Sequence, residues 1–120
     1  MTAGIHNIIL EQGATFRRTI VYKVNKNPVN LTGYSARLQV RTRSIRTNQS
    51  RAVVFSLTSA AGGGLTIDAE NGEIEIFIAP ETSRKIGTGV FVYDLELESS
   101  PTEVIRLLQG NFEITYETTY

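Results

Sequence analysis

Alternating hydrophobic and polar residues mark two long extended runs on either side of Ser99-Ser100-Pro101. In the first run every second residue from position 91 is apolar, namely Phe91, Tyr93, Leu95 and Leu97. The opposite set contains three acids, Asp94, Glu96 and Glu98. Because a strand projects alternate side chains to opposite faces, one face suits a core and the other suits water or a partner. The pattern predicts a long antiparallel hairpin.

Six shorter runs with strand character precede this hairpin and are separated by turn residues. They cover residues 5–10, 16–24, 36–41, 52–57, 65–68 and 73–79. No window has the 3.6-residue apolar period of a helix. Residues 80–86 are expected to form about one helical turn, because Pro80 suits a first helical position and Gly87 can end the turn. The chain therefore predicts one all-β domain over residues 1–120, a sandwich or small barrel of about eight short strands.

Within the second run of the hairpin, Leu107 and Leu108 are adjacent and break the alternation. Two neighbouring apolar residues predict either a β-bulge or a stretch that is buried on both faces.

The composition is that of a soluble globular protein, with 41% hydrophobic and 20% charged residues. No apolar run approaches the roughly 20 residues that a membrane helix needs, so we expect no membrane contact. The first residues lack the basic start of a signal peptide. Since there is also no cysteine, synthesis in a cytoplasm is the expectation.

Charge is divided between the two halves of the chain. Residues 1–51 contain nine basic side chains and one acid, a net charge of +8, whereas residues 52–120 contain three basic side chains and eleven acids, a net charge of −8. The two halves can pair internally across neighbouring strands. They can also lie on opposite faces and drive contacts between copies.

No set of residues suited to catalysis, a metal or a cofactor stands out. His6 is the single histidine and there is no cysteine, so a nucleophile–base pair and a zinc site are both unsupported. The stretch 68–73 lacks the later ligands of a calcium loop. Gly62-Gly63-Gly64 lacks the Lys-Ser/Thr of a phosphate-binding loop. The paired carboxylates follow a solvated strand face, without the apolar pocket that glycoside hydrolysis requires.

Three surfaces remain as candidates for contact with a partner. They are the basic loop (Arg41, Arg43, Arg46 and Arg51), the glycine loop (Gly62, Gly63 and Gly64) and the outer acids (Glu73, Glu75, Asp94, Glu96 and Glu98). Nucleic acid is the weaker explanation for the basic loop, because the loop has no aromatic residue to stack on bases and the pI is near neutral.

Four segments together resemble small virion proteins of tailed bacteriophages. They are residues 7–16 (Asn-Ile-Ile-Leu-Glu-Gln-Gly-Ala-Thr-Phe), 31–41 (Leu-Thr-Gly-Tyr-Ser-Ala-Arg-Leu-Gln-Val-Arg), 89–97 (Gly-Val-Phe-Val-Tyr-Asp-Leu-Glu-Leu) and 107–110 (Leu-Leu-Gln-Gly). Similar domains occur at the N-terminus of phage baseplate upper proteins and in tail-associated proteins of cyanobacterial phages.

The resemblance implies an immunoglobulin-like β-sandwich without enzymatic activity or cofactor. It implies that the protein is located in the virion, in the tail or baseplate rather than on the capsid surface. It also implies an adaptor or connector role, through contacts with other virion proteins in a symmetric assembly of several copies. Two alternatives stay open: a capsid decoration (cement) protein, and a carbohydrate-binding module that uses Tyr34, Tyr116 and Tyr120.

Overall fold

Eleven β-strands, one short α-helix and one 3-10 turn occupy the residues that the computed structural model describes, which are 4–42, 53–100 and 103–116. The first strands are β1 (Gly4–Ile5), β2 (Ile8–Glu11), β3 (Phe16–Val21), β4 (Lys23–Val24), β5 (Asn27–Pro28) and β6 (Ser35–Thr42). Then follow β7 (Val53–Thr58), β8 (Leu65–Asp68), the 3-10 turn (Ala69–Asn71), β9 (Glu73–Ile78), α1 (Pro80–Ile86), β10 (Gly89–Ser100) and β11 (Glu103–Thr115).

The strands form two sheets that pack face to face. Sheet A has the order β1-β11-β10-β6-β7, with β2 also paired to β11, and sheet B has the order β3-β9-β8. Strands β4 and β5 form a small separate hairpin. Strands β1 and β2 run parallel to β11, whereas the other ladders in both sheets are antiparallel.

This topology confirms the predicted immunoglobulin-like sandwich. An immunoglobulin domain places its second, fifth and fourth strands in one sheet and its third, sixth and seventh strands in the other. Here β3-β9-β8 corresponds to the first set and β6-β10-β11 to the second, while β7 adds an outer strand beside β6. The first segment of the chain, residues 4–11 with β1 and β2, joins β11 in sheet A. Strand β3 is therefore left at the edge of sheet B.

The inner faces of the two sheets supply the core, as the alternation of residue types predicts. Ile74, Ile76 and Ile78 of β9 are 0–1% exposed. Leu95 and Leu97 of β10 are fully buried. Aromatic rings of β7, β10 and β11 meet in sheet A, where Phe112 makes edge-to-face contacts with Phe55 and Tyr93 at centroid distances of 5.6 and 6.2 Å. Such pairs add to the free energy gained by burial alone.

Two local features also agree with the sequence pattern. The pairing of β10 with β11 shifts where Leu95 faces Leu108 and Glu96 faces Arg106, so Leu107 is the extra residue of a β-bulge. The helix α1 covers the predicted residues 80–86, with proline in its first turn and Gly87 after its last residue.

Polar contacts fix the first segment and α1 to the sandwich. The Tyr93 hydroxyl donates a hydrogen bond of 2.5 Å to the His6 carbonyl, and the Asn111 amide donates to the Asn7 side-chain oxygen. Ser83, which is 0% exposed, accepts from the Gly13 amide at 2.8 Å and ties α1 to the turn before β3.

Candidate protein-contact surfaces

The predicted contact residues fall on separate parts of the molecule. Arg43, Arg46 and Arg51 lie outside the described residues. Arg41 is near the end of β6, where it is half-buried and donates to the side chain of Gln39. The outer acids divide between two sheets, since Glu73 and Glu75 belong to β9 and the other three to β10. They therefore do not form one acidic surface.

Two acids of β10, Asp94 and Glu96, take part in an ionic network across the outer face of sheet A. Arg37 of β6 donates to Glu96 at 2.6 Å. Arg106 of β11 lies 3.5 Å from Glu96 and 3.6 Å from Asp94. The hydrogen bond to Glu96 raises the pKa of the Arg37 guanidinium, with a smaller contribution from the nearby acid charges. Asp94 and Glu96 are thus engaged within the domain, and they are weaker candidates for a partner than their sequence suggests.

The same network accounts for part of the charge division. The basic strand β6 lies beside the acidic strand β10, and β3 lies beside β9, where Arg17 pairs with Glu75 at 3.4 Å. For these residues, basic side chains of the first half of the chain form ion pairs with acids of the second half within one molecule.

An open groove of about 580 Å³ lies on the outer face of sheet B. The glycine loop and its neighbours, residues 59–64, form one wall, and Arg17, Thr66, Glu75 and Phe77 contribute the floor and the other side. The guanidinium of Arg17 lies over the Phe77 ring at 4.5 Å from its centroid. Arg17 and Glu75 keep 62% and 42% of their side chains exposed, so both remain accessible to a partner.

The three glycines of this wall have different roles. At Gly63 an added Cβ would lie 2.3 Å from the hydroxyl oxygen of Thr58, and at Gly64 it would lie 2.7 Å from Leu57 while φ is +96°. Both positions need glycine because the loop packs closely against β7. Gly62, at φ +76°, has open space around it. Gly63 and Gly64 therefore pack the wall against its neighbours, whereas the space around Gly62 is open.

The groove unites two predicted features, the glycine loop and Glu75, with two residues that the sequence did not single out, Arg17 and Phe77. Alternation places both of the latter on outer strand faces, but their meeting depends on the pairing of β3 with β9, in which Arg17 faces Phe77. A shallow site with an aromatic ring, one cation and one anion is suited to holding a peptide segment.

A second polar cluster lies at the side of the sandwich, between the first segment and β3. Arg18 of β3 donates to the Nε2 atom of His6 at 2.6 Å, and its guanidinium lies 5.2 Å from the centre of the Phe16 ring. Burial raises the pKa of the nearby Tyr93 to about 12, an effect that the charge of Arg18 partly opposes. His6, the single histidine of the sequence, is half-buried in this cluster.

Other kinds of site find no support in the described ranges. They contain no group of three or more His, Cys, Asp or Glu side chains that could hold a metal ion. No helix among them is long and apolar enough to span a bilayer. Tyr34 precedes β6 at the end where Ser35 faces Glu98, whereas Tyr116 follows β11 at the opposite end, where Ile114 faces Gly89. These two tyrosines do not form one sugar-stacking surface.

Comparisons with known proteins identify the fold alone. No family model matches the chain, and no curated protein matches it. Among solved structures, an uncharacterized protein from Bacillus anthracis str. Ames is similar with a TM-score of 0.54 and 14% sequence identity. The match covers 96% of this chain and 85% of that protein. At this identity the likeness supports the sandwich architecture, which many functions share.

Proposed function

We propose that this protein is a non-enzymatic structural component of a tailed-phage virion, an adaptor or connector that holds subunits together in the tail or baseplate. It acts through protein–protein contacts in an assembly that contains several copies.

The observation that carries this proposal is the location of the four segments that resemble phage virion proteins. They include β2, β6, the first part of β10 and the bulge of β11, and these are neighbouring strands of sheet A. The resemblance therefore extends across one continuous sheet. It also includes residues with a structural role, such as Leu107 at the bulge and Gly110 beneath the first segment.

The groove on sheet B is the contact surface that we assign to this function. Its occupant is an extended segment of a neighbouring virion subunit. The exposed pair of Arg17 and Glu75 contributes little to stability, so either side chain can exchange its present partner for a group on the incoming segment at small cost. Open space at Gly62 lets a backbone approach the wall closely.

Incorporation into particles tests this function. Particles purified from cells that express the tagged protein together with the rest of the phage genes should contain it by mass spectrometry, and labelled particles viewed by electron microscopy should carry it at the tail or baseplate. Glu75→Lys reverses a charge inside the groove and should lower incorporation at least about tenfold, because a like-charged contact replaces an attractive one.

Glu70→Lys is the matched control, since Glu70 is exposed in the 3-10 turn and outside the groove. It makes the same charge change and should be incorporated normally, with both variants melting near the wild-type temperature. Absence of the wild-type protein from particles would contradict the virion role. Equal incorporation of the two variants would exclude the groove.

A further inference from the structure

Strand β3 is an edge strand of sheet B, and its free side has no neighbour among the described residues. In an immunoglobulin sandwich the first strand of the domain lies in that position, beside the second strand. Here β1 and β2 pair with β11 instead. The place beside β3 that a strand fills in the related architecture is therefore open in the described part of the chain.

The backbone of β3 presents a regular row of groups at this edge that have no partner among the described residues. The Tyr22 amide donates to the Gly72 carbonyl on the β9 side. The Phe77 amide donates to the Gly64 carbonyl, on the β8 side of β9. Because the backbone groups of successive residues point to opposite sides of a strand, those of Ile76 and Ile78 point towards β3. Alternation in an antiparallel ladder then turns the N–H and C=O groups of Arg17, Thr19 and Val21 away from the sheet.

The other sandwich edges are less open. Strand β1 has two residues, and the ladder is interrupted before β2 begins, where Asn7 bonds the backbone of β11. Strand β8 has four residues and ends in Asp68. The glycine loop covers the outer edge of β7 at one end, because the Thr58 amide donates to the Gly63 carbonyl. In contrast, β3 pairs with β9 over six residues without a register shift.

The charge at this edge indicates the chemistry of the occupant. Arg18 is half-buried at the side of the sandwich, where its guanidinium bonds the His6 ring and lies 5.2 Å from the centre of the Phe16 ring. No carboxylate among the described residues pairs with it, although charges removed from water are usually paired. Arg17, the preceding residue, projects to the outer face.

We infer that the free edge of β3 accepts an extended strand from a neighbouring subunit, with acidic residues at the two adjacent positions opposite Arg17 and Arg18. The incoming strand takes the place of the missing first strand of sheet B. Its backbone bonds Arg17, Thr19 and Val21, in the mode by which peptides extend an exposed sheet edge. The two carboxylates, on opposite faces of that strand, select it over other extended segments.

This inference rests on the proposed virion role, and its test separates the two. Thr19→Pro removes one outward N–H group while leaving the bonds between β3 and β9, because proline is tolerated on an edge strand whose N–H faces away from the sheet. Ser56→Pro is the matched control on β7. The Ser56 amide also faces outward, since it lies two residues before Thr58.

We expect Thr19→Pro to lower incorporation into particles at least about tenfold. The variant loses the hydrogen bond from the Thr19 N–H group and leaves a carbonyl of the incoming strand buried without a donor. Ser56→Pro should be incorporated like the wild type. Both free proteins should keep the wild-type circular dichroism spectrum. A photo-crosslinking amino acid at position 19 should become linked, in assembled particles, to a peptide with two adjacent acidic residues.

Three results would overturn the inference while leaving the virion role in place. They are normal incorporation of Thr19→Pro, a crosslink from position 19 to a segment without acids, and a crosslink to β3 of a second copy. If Thr19→Pro does not fold, hydrogen exchange of the wild-type protein decides the question. The amides of Arg17, Thr19 and Val21 should exchange at least about tenfold more slowly in particles than in the free protein, and equal rates contradict the proposal. Absence of the wild-type protein from particles contradicts the virion role itself.

Discussion

Gly110 is a residue whose identity is set by a distant segment of the chain. A Cβ at this position would lie 2.4 Å from the His6 carbonyl oxygen and 2.9 Å from the Asn7 side-chain oxygen. The first segment therefore crosses β11 at a distance that only glycine permits. Its φ is outside the left-handed region, so the requirement is one of space and not of backbone conformation.

Gly110→Ala should lower the free energy of unfolding by about 1–3 kcal/mol, because the first segment must move away from β11. Gly62→Ala is the control, since Gly62 has open space and a positive φ and should cost about 1 kcal/mol through backbone strain alone. Urea denaturation measures both values. Hydrogen exchange should also show loss of protection over β2 in Gly110→Ala alone, and equal protection in the two variants would contradict the close approach.

Alternation made the face of most strand residues predictable, because burial follows from a period of two. The roles of Gly110, Ser83 and Arg17 were not predictable in this way. Their partners are His6, Gly13 and Phe77, each at least 60 residues away along the chain. Such contacts depend on which strands become neighbours, which no local pattern contains.

At the scale of single elements, β10 combines the two kinds of position that its sequence predicts. Leu95 is fully buried and contributes to the core. Glu96 lies on the opposite face, where its side chain is 15% exposed between Arg37 and Arg106. The strand therefore has an outer face that is held by ion pairs within sheet A.

Leu95→Ala should lower the free energy of unfolding by about 2–5 kcal/mol, as for other large-to-small changes in a core. Glu96→Ala should cost about 0.5–1 kcal/mol, because Arg37 and Arg106 are more than half exposed and water replaces the lost carboxylate. Chemical denaturation at low and high salt distinguishes the two. Only the cost of Glu96→Ala should shrink with salt, and a salt-independent cost would mean that the ion pairs contribute little.

Local signals identified the elements of this fold better than their bounds. Proline and glycine bracketed α1. The Leu107-Leu108 pair predicted either a bulge or burial on both faces, and the register shift shows a bulge. The predicted run 5–10 is interrupted between β1 and β2, and the run 16–24 ends its pairing with β9 at Val21. The first interruption lies where His6 and Asn7 form hydrogen bonds with β11. At the second, the Tyr22 carbonyl accepts from the Val29 amide.

At the scale of the whole molecule, the sandwich brings together halves of opposite charge. The pairs Arg37–Glu96 and Arg17–Glu75 each join the first half of the chain to the second. The sequence allowed internal pairing or contact between copies, and it could not decide between them because the strand order was unknown. Among the described residues, the pairing of β6 with β10 and of β3 with β9 favours ion pairs within the molecule, whereas Arg18 forms no ion pair with a carboxylate.

Tyr93 links the stability of the whole sandwich to alkaline pH. Burial raises its pKa from 10.0 to about 12, so the unfolded chain loses this proton near pH 10 while the folded protein keeps it. Between these values the unfolded state binds fewer protons, and stability falls as pH rises. The contribution is fully present below pH 10 and is lost by about pH 12.

Tyr93→Phe should remove this part of the pH dependence. At neutral pH the variant should be less stable by about 0.5–1.5 kcal/mol, because the hydrogen bond to the His6 carbonyl is lost. Above pH 10 the difference between wild type and variant should narrow, since only the wild type has a buried phenol that resists ionisation. Urea denaturation across this range measures the difference, and near-ultraviolet absorbance of the phenolate checks its origin. A constant difference at all pH values would show that Tyr93 ionises as readily in the folded protein as in the unfolded chain.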